Sequence, residues 1–140
     1  MNDNITDQGV ECAFPYHLPA GDVAARVAEA GLEQVLLNTD PGVCKGYGAR
    51  KGDEEKFMAS LTRSLEYCVA LGARKLHIMA GSKVEGVGEE EATEIFLGNL
   101  RRAIPLLTKA GVVGLVEPIN QWSVPNYNMD SYTAGLHIVR

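Results

Sequence analysis

The sequence lacks the features of a membrane-spanning or secreted protein. No apolar run approaches the roughly 20 residues that cross a bilayer, and Met1 to Gln8 is too polar for the core of a signal peptide. Cysteine is scarce, and the three that occur, Cys12, Cys44 and Cys68, have no CxxC spacing. Their odd number and spacing exclude the usual zinc-ribbon and disulfide frameworks. We therefore expect a cytoplasmic protein.

The sequence also lacks a basic cluster. Its 13 lysines and arginines are outnumbered by 18 aspartates and glutamates, which gives a formal net charge of −5, and no basic run is longer than a pair. Binding to a nucleic-acid backbone or to an acidic membrane surface is therefore not expected as its main role. A small molecule is the more plausible partner.

What the sequence does contain is a repeated alternation of short apolar strands and amphipathic helices. Its 140 residues predict a single domain over 1–140, with a polar N-terminal segment at 1–8. Asp53 is expected to cap the second helix, and Pro105 to kink the third helix or split it near Arg101. The predicted strands cover 10–14, 34–37, 76–80 and 112–117, and the predicted helices cover 21–30, 54–71, 89–110 and 131–140.

Four strand–loop–helix units in a row predict a parallel sheet with helices over its outer face. An open doubly wound sheet is one such architecture, but no GxGxxG fingerprint opens the first helix. The longer, polar loops follow the strands, as they do at the catalytic face of a (β/α)8 barrel. Because a complete barrel takes about 250 residues, we expect an incomplete TIM barrel of about four consecutive β/α units.

Glu117 is the sharpest catalytic candidate. It ends an apolar strand in the segment VVGLVEPIN and shares a face with Val113 and Leu115, which alternation directs into the barrel lumen. Pro118 holds Glu117 in extended backbone geometry. A carboxylate there is costly unless it is used or paired. The alternative is a strand-end glutamate that bonds to neighbouring backbone or to a lysine.

Four other residues are candidates for substrate binding at the same rim. The imidazole of His77 both donates and accepts hydrogen bonds, so it could bind a substrate carbonyl or carboxylate; the alternative is a core histidine with satisfied nitrogens. Asn38 and Asn120 end their strands at this rim and offer uncharged donors and acceptors, with a role in loop structure as the alternative. Glu11 could lie near Glu117 across the lumen.

Four segments, VECAFPY, VLLNTDPG, LGARKLHIMAG and VVGLVEPIN, resemble signature segments of the hydroxypyruvate isomerase family, in the same order and at similar spacing. That family belongs to the xylose isomerase-like TIM barrels. The resemblance runs from about Gly9 to Arg140 and corresponds to strands two to five, about half of the family's barrel. It implies an intramolecular oxidoreductase of the aldose–ketose isomerase type. It also implies that Glu117 is a catalytic acid/base next to a divalent metal site, for Mg²⁺ or Mn²⁺, which Glu117 could help to form.

The family reaction interconverts hydroxypyruvate and 2-hydroxy-3-oxopropanoate (tartronate semialdehyde), so the implied substrate is a small hydroxy-carbonyl acid. A base removes a carbon-bound proton, an acid returns it to the adjacent carbon, and an enediol or enediolate lies between the two steps. By the same resemblance, a second catalytic glutamate lies on the family's last strand, which has no counterpart in this sequence.

Other functions stay open. Related sugar-acid isomerases and epimerases, dehydratases and abasic-site endonucleases use similar barrels, because a fold does not fix a reaction; the acidic charge disfavours the nuclease. The chain could instead be a truncated family member without catalysis. Its open sheet edges could also drive it to form a homodimer, in which two copies close one pseudo-barrel.

Overall fold

The computed structural model describes residues 8–139, so the polar segment expected at 1–8 lies almost wholly outside the described residues. Four strands alternate with four helices, in the order predicted. They are β1 (Gly9–Glu11), α1 (Ala20–Glu29), β2 (Glu33–Asn38), α2 (Glu54–Leu71), β3 (Lys75–His77), α3 (Glu89–Ala110), β4 (Val113–Leu115) and α4 (Tyr132–Ile138). None of the helices within residues 8–139 combines the length and apolarity that a membrane-spanning helix needs.

The strands form one parallel sheet in the order β1-β2-β3-β4. Two rows of residues cross β2, β3 and β4. The first row is Leu37, Leu76 and Gly114, and the second is Asn38, His77 and Leu115. Because successive residues of a strand point to opposite faces, the two rows lie on opposite sides of the sheet. A parallel sheet in chain order with a helix after each strand confirms the expected partial TIM barrel.

The helices cover the face that carries the first row. Leu37 and Leu76 are completely buried in the core, and each buried leucine stabilises the fold by roughly 1.5–3 kcal/mol. Gly114 leaves no room for a side chain, because Ile78 and Leu107 of α3 lie 2.9 and 3.0 Å from where its Cβ would be. The opposite face, which carries Asn38, His77 and Leu115, is the one that a barrel would enclose. We call it the lumen face.

The predicted effect of Pro105 is wrong in one respect. Helix α3 is not split near Arg101 but runs unbroken from Glu89 to Ala110, with Pro105 inside it. Proline removes the hydrogen bond to the carbonyl of Arg101, yet both residues are exposed, so water can solvate that carbonyl. Packing of the buried Ala103 and Leu107 on the sheet side holds the helix together across this point.

The expected position of Asp53 at the start of α2 is confirmed, but it makes no side-chain capping bond. Its carboxylate instead pairs with Lys56 at 2.6 Å and Arg50 at 2.8 Å, and these cations lower its pKa. Arg50 also donates to the carbonyl of Ser82 at 2.7 Å, so it ties the loop after β2 to the loop after β3.

These two loops approach each other closely at Gly46. Its φ of +105° is unfavourable for residues with a side chain, and an added Cβ would lie 2.4 Å from the Cβ of Met79 and 2.5 Å from its carbonyl oxygen. Gly48 donates to that same carbonyl at 3.1 Å. The contact holds the chain directly after β3, two residues from His77, against the loop after β2.

Replacing Gly46 tests whether this close approach matters. Gly46→Ala is expected to destabilise the fold by roughly 2–4 kcal/mol, because the backbone strain adds to the overlap with Met79. Gly52→Ala is the matched control, since Gly52 also has a positive φ of +80° but nothing within 4 Å of its Cβ position; it should cost about 1 kcal/mol. Urea unfolding of the two variants gives the comparison. If both variants lost the same free energy of unfolding, the backbone conformation alone would account for the effect, and the close approach to Met79 would not contribute.

Candidate active site

The lumen face brings together an imidazole and a carboxylate where β3 and β4 end. His77 Nδ1 lies 3.5 Å from Glu117 Oε2. His77 is the last residue of β3 and aligns with Leu115, and Glu117 follows Leu115 by two residues, so alternation keeps both side chains on one face. The predicted catalytic residue and one predicted substrate-binding residue therefore meet at the strand ends.

His77 is buried without the partners that a buried imidazole normally has. It is 2% exposed, and neither ring nitrogen forms a hydrogen bond with any described residue. The contact with Glu117 is long and does not have hydrogen-bond geometry. Most buried polar groups are hydrogen-bonded, whereas both nitrogens of His77 are buried and have no such partner among residues 8–139.

The surroundings of His77 favour its neutral form. Burial lowers its pKa, and the nearby Glu117 carboxylate offsets part of this effect. A neutral imidazole donates a hydrogen bond from one nitrogen and accepts one at the other. Such a ring can polarise a carbonyl group without carrying a charge.

Glu117 is accessible to a ligand. Its side chain is 65% exposed, and within residues 8–139 it forms no ion pair with a lysine or arginine and no hydrogen bond with backbone. The alternative of a glutamate bonded to a lysine or to neighbouring backbone therefore has no support among the described contacts. The site combines an open carboxylate with a buried, neutral imidazole.

The two asparagine candidates differ in their surroundings. Asn38 aligns with His77 across the β2–β3 ladder, so it lies beside His77 on the lumen face. Asn120 is exposed, and its Oδ1 accepts hydrogen bonds from the backbone N–H groups of Trp122 at 3.1 Å and Ser123 at 2.9 Å. Asn120 thus organises the loop after β4. Its amide nitrogen donates no hydrogen bond to another of the described residues.

The structure does not bring Glu11 next to Glu117. Glu11 is exposed on β1, and β2 and β3 separate β1 from β4. Within the part of the chain that the structure describes, Glu11 forms no ion pair and accepts no side-chain hydrogen bond. Glu11 is therefore not a second carboxylate beside Glu117.

Sequence reasoning assigned no role to two tyrosines that position the site. The buried hydroxyl of Tyr127 accepts a hydrogen bond from the backbone N–H of Ala80 at 2.8 Å, and burial raises its pKa to about 12. The Tyr16 hydroxyl donates to the carbonyl of Asn38 and lies 3.0 Å from Ser64 Oγ. These contacts fix the backbone at the ends of β3 and β2. Both tyrosines lie on loops, where no periodic pattern distinguishes a buried ring from an exposed one.

The described residues do not fit the divalent metal that the resemblance implied. Hard cations such as Mg²⁺ take about six ligands, mainly oxygens. Across residues 8–139, no group of three or more histidine, cysteine, aspartate or glutamate side chains could hold a metal ion. Glu117 and His77 provide only two ligating side chains, fewer than such a site needs. We assign no metal-dependent step to these residues.

Comparison with known proteins agrees with this fold. The sequence model of the xylose isomerase-like TIM barrels matches residues 8–138. A human protein named as a hydroxypyruvate isomerase is 37% identical over 133 aligned positions; the match covers 89% of this chain and 48% of that protein. A 2-oxo-tetronate isomerase of Cupriavidus necator is 32% identical over 137 aligned positions; the match covers 95% of this chain and 53% of that protein. The chain thus spans about half the length of the curated relatives it matches.

Solved structures also match this chain in fold, again over about half of their own length. A Brucella melitensis protein described as an AP endonuclease of family 2 has a TM-score of 0.87 and 34% identity, over 94% of this chain and 52% of that one. The D-psicose 3-epimerase of Clostridium cellulolyticum H10 has a TM-score of 0.71 at 15% identity, over 94% of this chain and 48% of its own; this likeness supports the fold alone. The predicted resemblance to hydroxypyruvate isomerases is confirmed.

The environment of His77 predicts a pH-dependent stability. Since burial lowers the pKa of His77 in the folded chain below the ordinary value of 6.5, the unfolded chain binds this proton more readily. The free energy of unfolding should therefore fall as the pH drops below about 6.5 and recover above it. His77→Asn should flatten this dependence, as measured by urea unfolding between about pH 5 and 7.

His17→Asn is the control, because His17 is exposed and lies outside the site. It should leave the pH dependence of the wild-type chain intact. Parallel stability curves for the wild type and His77→Asn would contradict the assignment of the dependence to His77.

Proposed function

Because this chain belongs to the xylose isomerase-like TIM barrel family, we propose that it is an isomerase of small hydroxy-carbonyl acids. The observation that carries the proposal is the Glu117–His77 pair on the lumen face. An open carboxylate lies 3.5 Å from a buried imidazole there, at the strand ends where TIM barrels place their active sites. The relatives named as hydroxypyruvate isomerase and 2-oxo-tetronate isomerase support this class of substrate.

Hydroxypyruvate is the substrate we propose. Its CH₂OH carbon, C3, adjoins the C2 ketone, whereas in tartronate semialdehyde C3 is an aldehyde and C2 carries the hydroxyl group. Removing a proton from C3 makes an enediolate, with a C2–C3 double bond and the negative charge on the C2 oxygen. Protonation at C2 and transfer of the O3 proton to O2 give the product. One carbon is oxidised as its neighbour is reduced, so the reaction needs no external oxidant.

Each residue of the pair has a role that matches its surroundings. Glu117 takes the C3 proton and returns it at C2, since its exposed carboxylate can reach both carbons of a bound substrate. His77 donates a hydrogen bond to the C2 oxygen as negative charge develops there. Its lowered pKa keeps the ring neutral, so it stabilises the oxyanion without competing with Glu117 for the proton. Asn38, beside His77, binds the substrate's hydroxyl or carboxylate group.

A four-carbon 2-oxo acid is the second candidate substrate. A relative named for 2-oxo-tetronate covers as much of this chain as the hydroxypyruvate isomerases do. Such a substrate has the same reacting hydroxy-ketone and one further hydroxylated carbon. The ratio of kcat/KM for the two acids distinguishes the candidates.

Glu117→Gln tests the assignment of the base. The substitution keeps the size of the side chain but removes its ability to accept a carbon-bound proton. We expect kcat for conversion of hydroxypyruvate to fall by roughly 10²–10⁴-fold. The assay follows tartronate semialdehyde formed by the purified 140-residue chain, with and without added Mg²⁺ or Mn²⁺.

Glu66→Gln is the matched control. Glu66 is exposed on α2, on the helix-covered side of the sheet, so the same chemical change there should leave kcat unaltered. If Glu117→Gln retained full activity, another group would be the base. A folded wild-type chain that converts neither acid would refute the proposed function.

A further inference from the structure

The direction of the His77 imidazole depends on the backbone that carries it. Neither ring nitrogen forms a hydrogen bond with a described residue, and the contact with Glu117 does not have hydrogen-bond geometry. The ring therefore has no polar anchor of its own among these residues. Because a side chain's rotamer and direction are coupled to its backbone, the groups that fix the backbone around His77 also decide where the imidazole points.

The strand β3 ends at His77, so the backbone groups beyond it need partners other than those of a regular ladder. Buried backbone N–H groups nearly always find an acceptor. The N–H of Met79, two residues beyond the end of β3, donates to the side-chain oxygen of Thr39 at 3.1 Å in a buried hydrogen bond. A threonine hydroxyl thus takes the place of the carbonyl that a longer strand would offer.

Thr39 bonds to the chain on both sides of Ile78. Its backbone N–H donates to the carbonyl of His77 at 2.9 Å, and its hydroxyl accepts the hydrogen bond from Met79. We call these two bonds the Thr39 clamp. From the other side, the N–H of Ile78 donates to the carbonyl of Leu115 on β4 at 2.8 Å. One residue directly after β2 therefore holds the backbone of His77 on the side away from β4.

We infer that Thr39 is a positioning residue, whose clamp aims the His77 imidazole at the substrate oxygen on which negative charge develops. This role rests on the proposed function, in which His77 donates a hydrogen bond to that oxygen. Thr39 acts through His77, because at 3% exposure it is too buried to contact a substrate. The oxyanion forms only after the proton has been removed, so a misplaced donor weakens the transition state more than it weakens substrate binding.

Thr39→Val tests the clamp, because valine keeps the branched shape of threonine but cannot accept the hydrogen bond from Met79. We expect kcat for hydroxypyruvate to fall by roughly 10–100-fold, while KM changes by less than about threefold. The NMR signals of the His77 ring, identified by their absence from His77→Asn, should move. The ring signals of His17 and His137, the other two histidines, should not.

Two further variants separate the hydroxyl from a general loss of stability. Thr39→Ser keeps the hydroxyl and loses only a methyl group, so its kcat and its His77 signals should stay close to those of the wild type. Gly111→Ala should lower the free energy of unfolding, since Gly111 has a positive φ of +67° with open space around it. Gly111 caps the end of α3 before β4, at the opposite end of the sheet from His77. Neither kcat nor the His77 signals should change in this variant.

Unchanged His77 signals in folded Thr39→Val would overturn the inference, and so would equal effects of Thr39→Ser and Thr39→Val. In an active chain, moved signals with an unchanged kcat would also overturn it. If Thr39→Val does not fold, hydrogen exchange at the Met79 amide of the wild-type chain decides: slow exchange supports the clamp, and rapid exchange contradicts it. The NMR comparison needs no activity. An inactive chain whose His77 signals move in Thr39→Val would refute the proposed function and support the clamp, whereas an active chain with unmoved signals would refute the clamp alone.

Discussion

The parallel register between β3 and β4 is the constraint on which the candidate site depends. Aligning His77 with Leu115 sets Glu117 one pleat further along the same face, within 3.5 Å of the imidazole. A slip of one residue would turn one of these side chains into the core. On the other side of the sheet, Ile78 and Leu107 fill the space at Gly114, so a slip that put a residue with a side chain there would cause a clash. Core packing and site geometry are thus two consequences of one alignment.

The same alignment explains why an unsatisfied imidazole is tolerated. Burying a polar group without a hydrogen bond costs roughly 1–3 kcal/mol. The adjacent Leu76 and Ile78, both fully buried in the core, more than offset that cost by removing apolar surface from water. The Tyr127 hydroxyl accepts a hydrogen bond from the backbone N–H of Ala80, which helps to fix the chain three residues after His77. Stability supplied by the core maintains an unpaired donor and acceptor at the strand end.

The order of elements and the face of Glu117 could be predicted from the sequence, because both follow from local periodicity. The hydrogen-bond and ion-pair partners of the individual polar residues could not be predicted in this way. Asn120 accepts two backbone hydrogen bonds in its loop, and Asp53 binds two cations instead of capping its helix. Each outcome depends on which partner lies nearest in three dimensions. The position of Glu11 also depends on the three-dimensional structure. Its strand was predicted, but the order of strands in the sheet places that strand at the edge furthest from β4.

The exposure of Glu117 connects the chemistry to the open lumen. Charges interact far more strongly in a dry interior than beside bulk water, and an enediolate is stabilised best by donors that water does not screen. In the described chain, His77 already provides a buried donor, but the carboxylate beside it is 65% exposed. Whatever covers the lumen face therefore affects catalysis as well as stability. Glu117 and the apolar Val113 are both exposed on this face, so covering it would remove water from the carboxylate and from apolar surface at the same time.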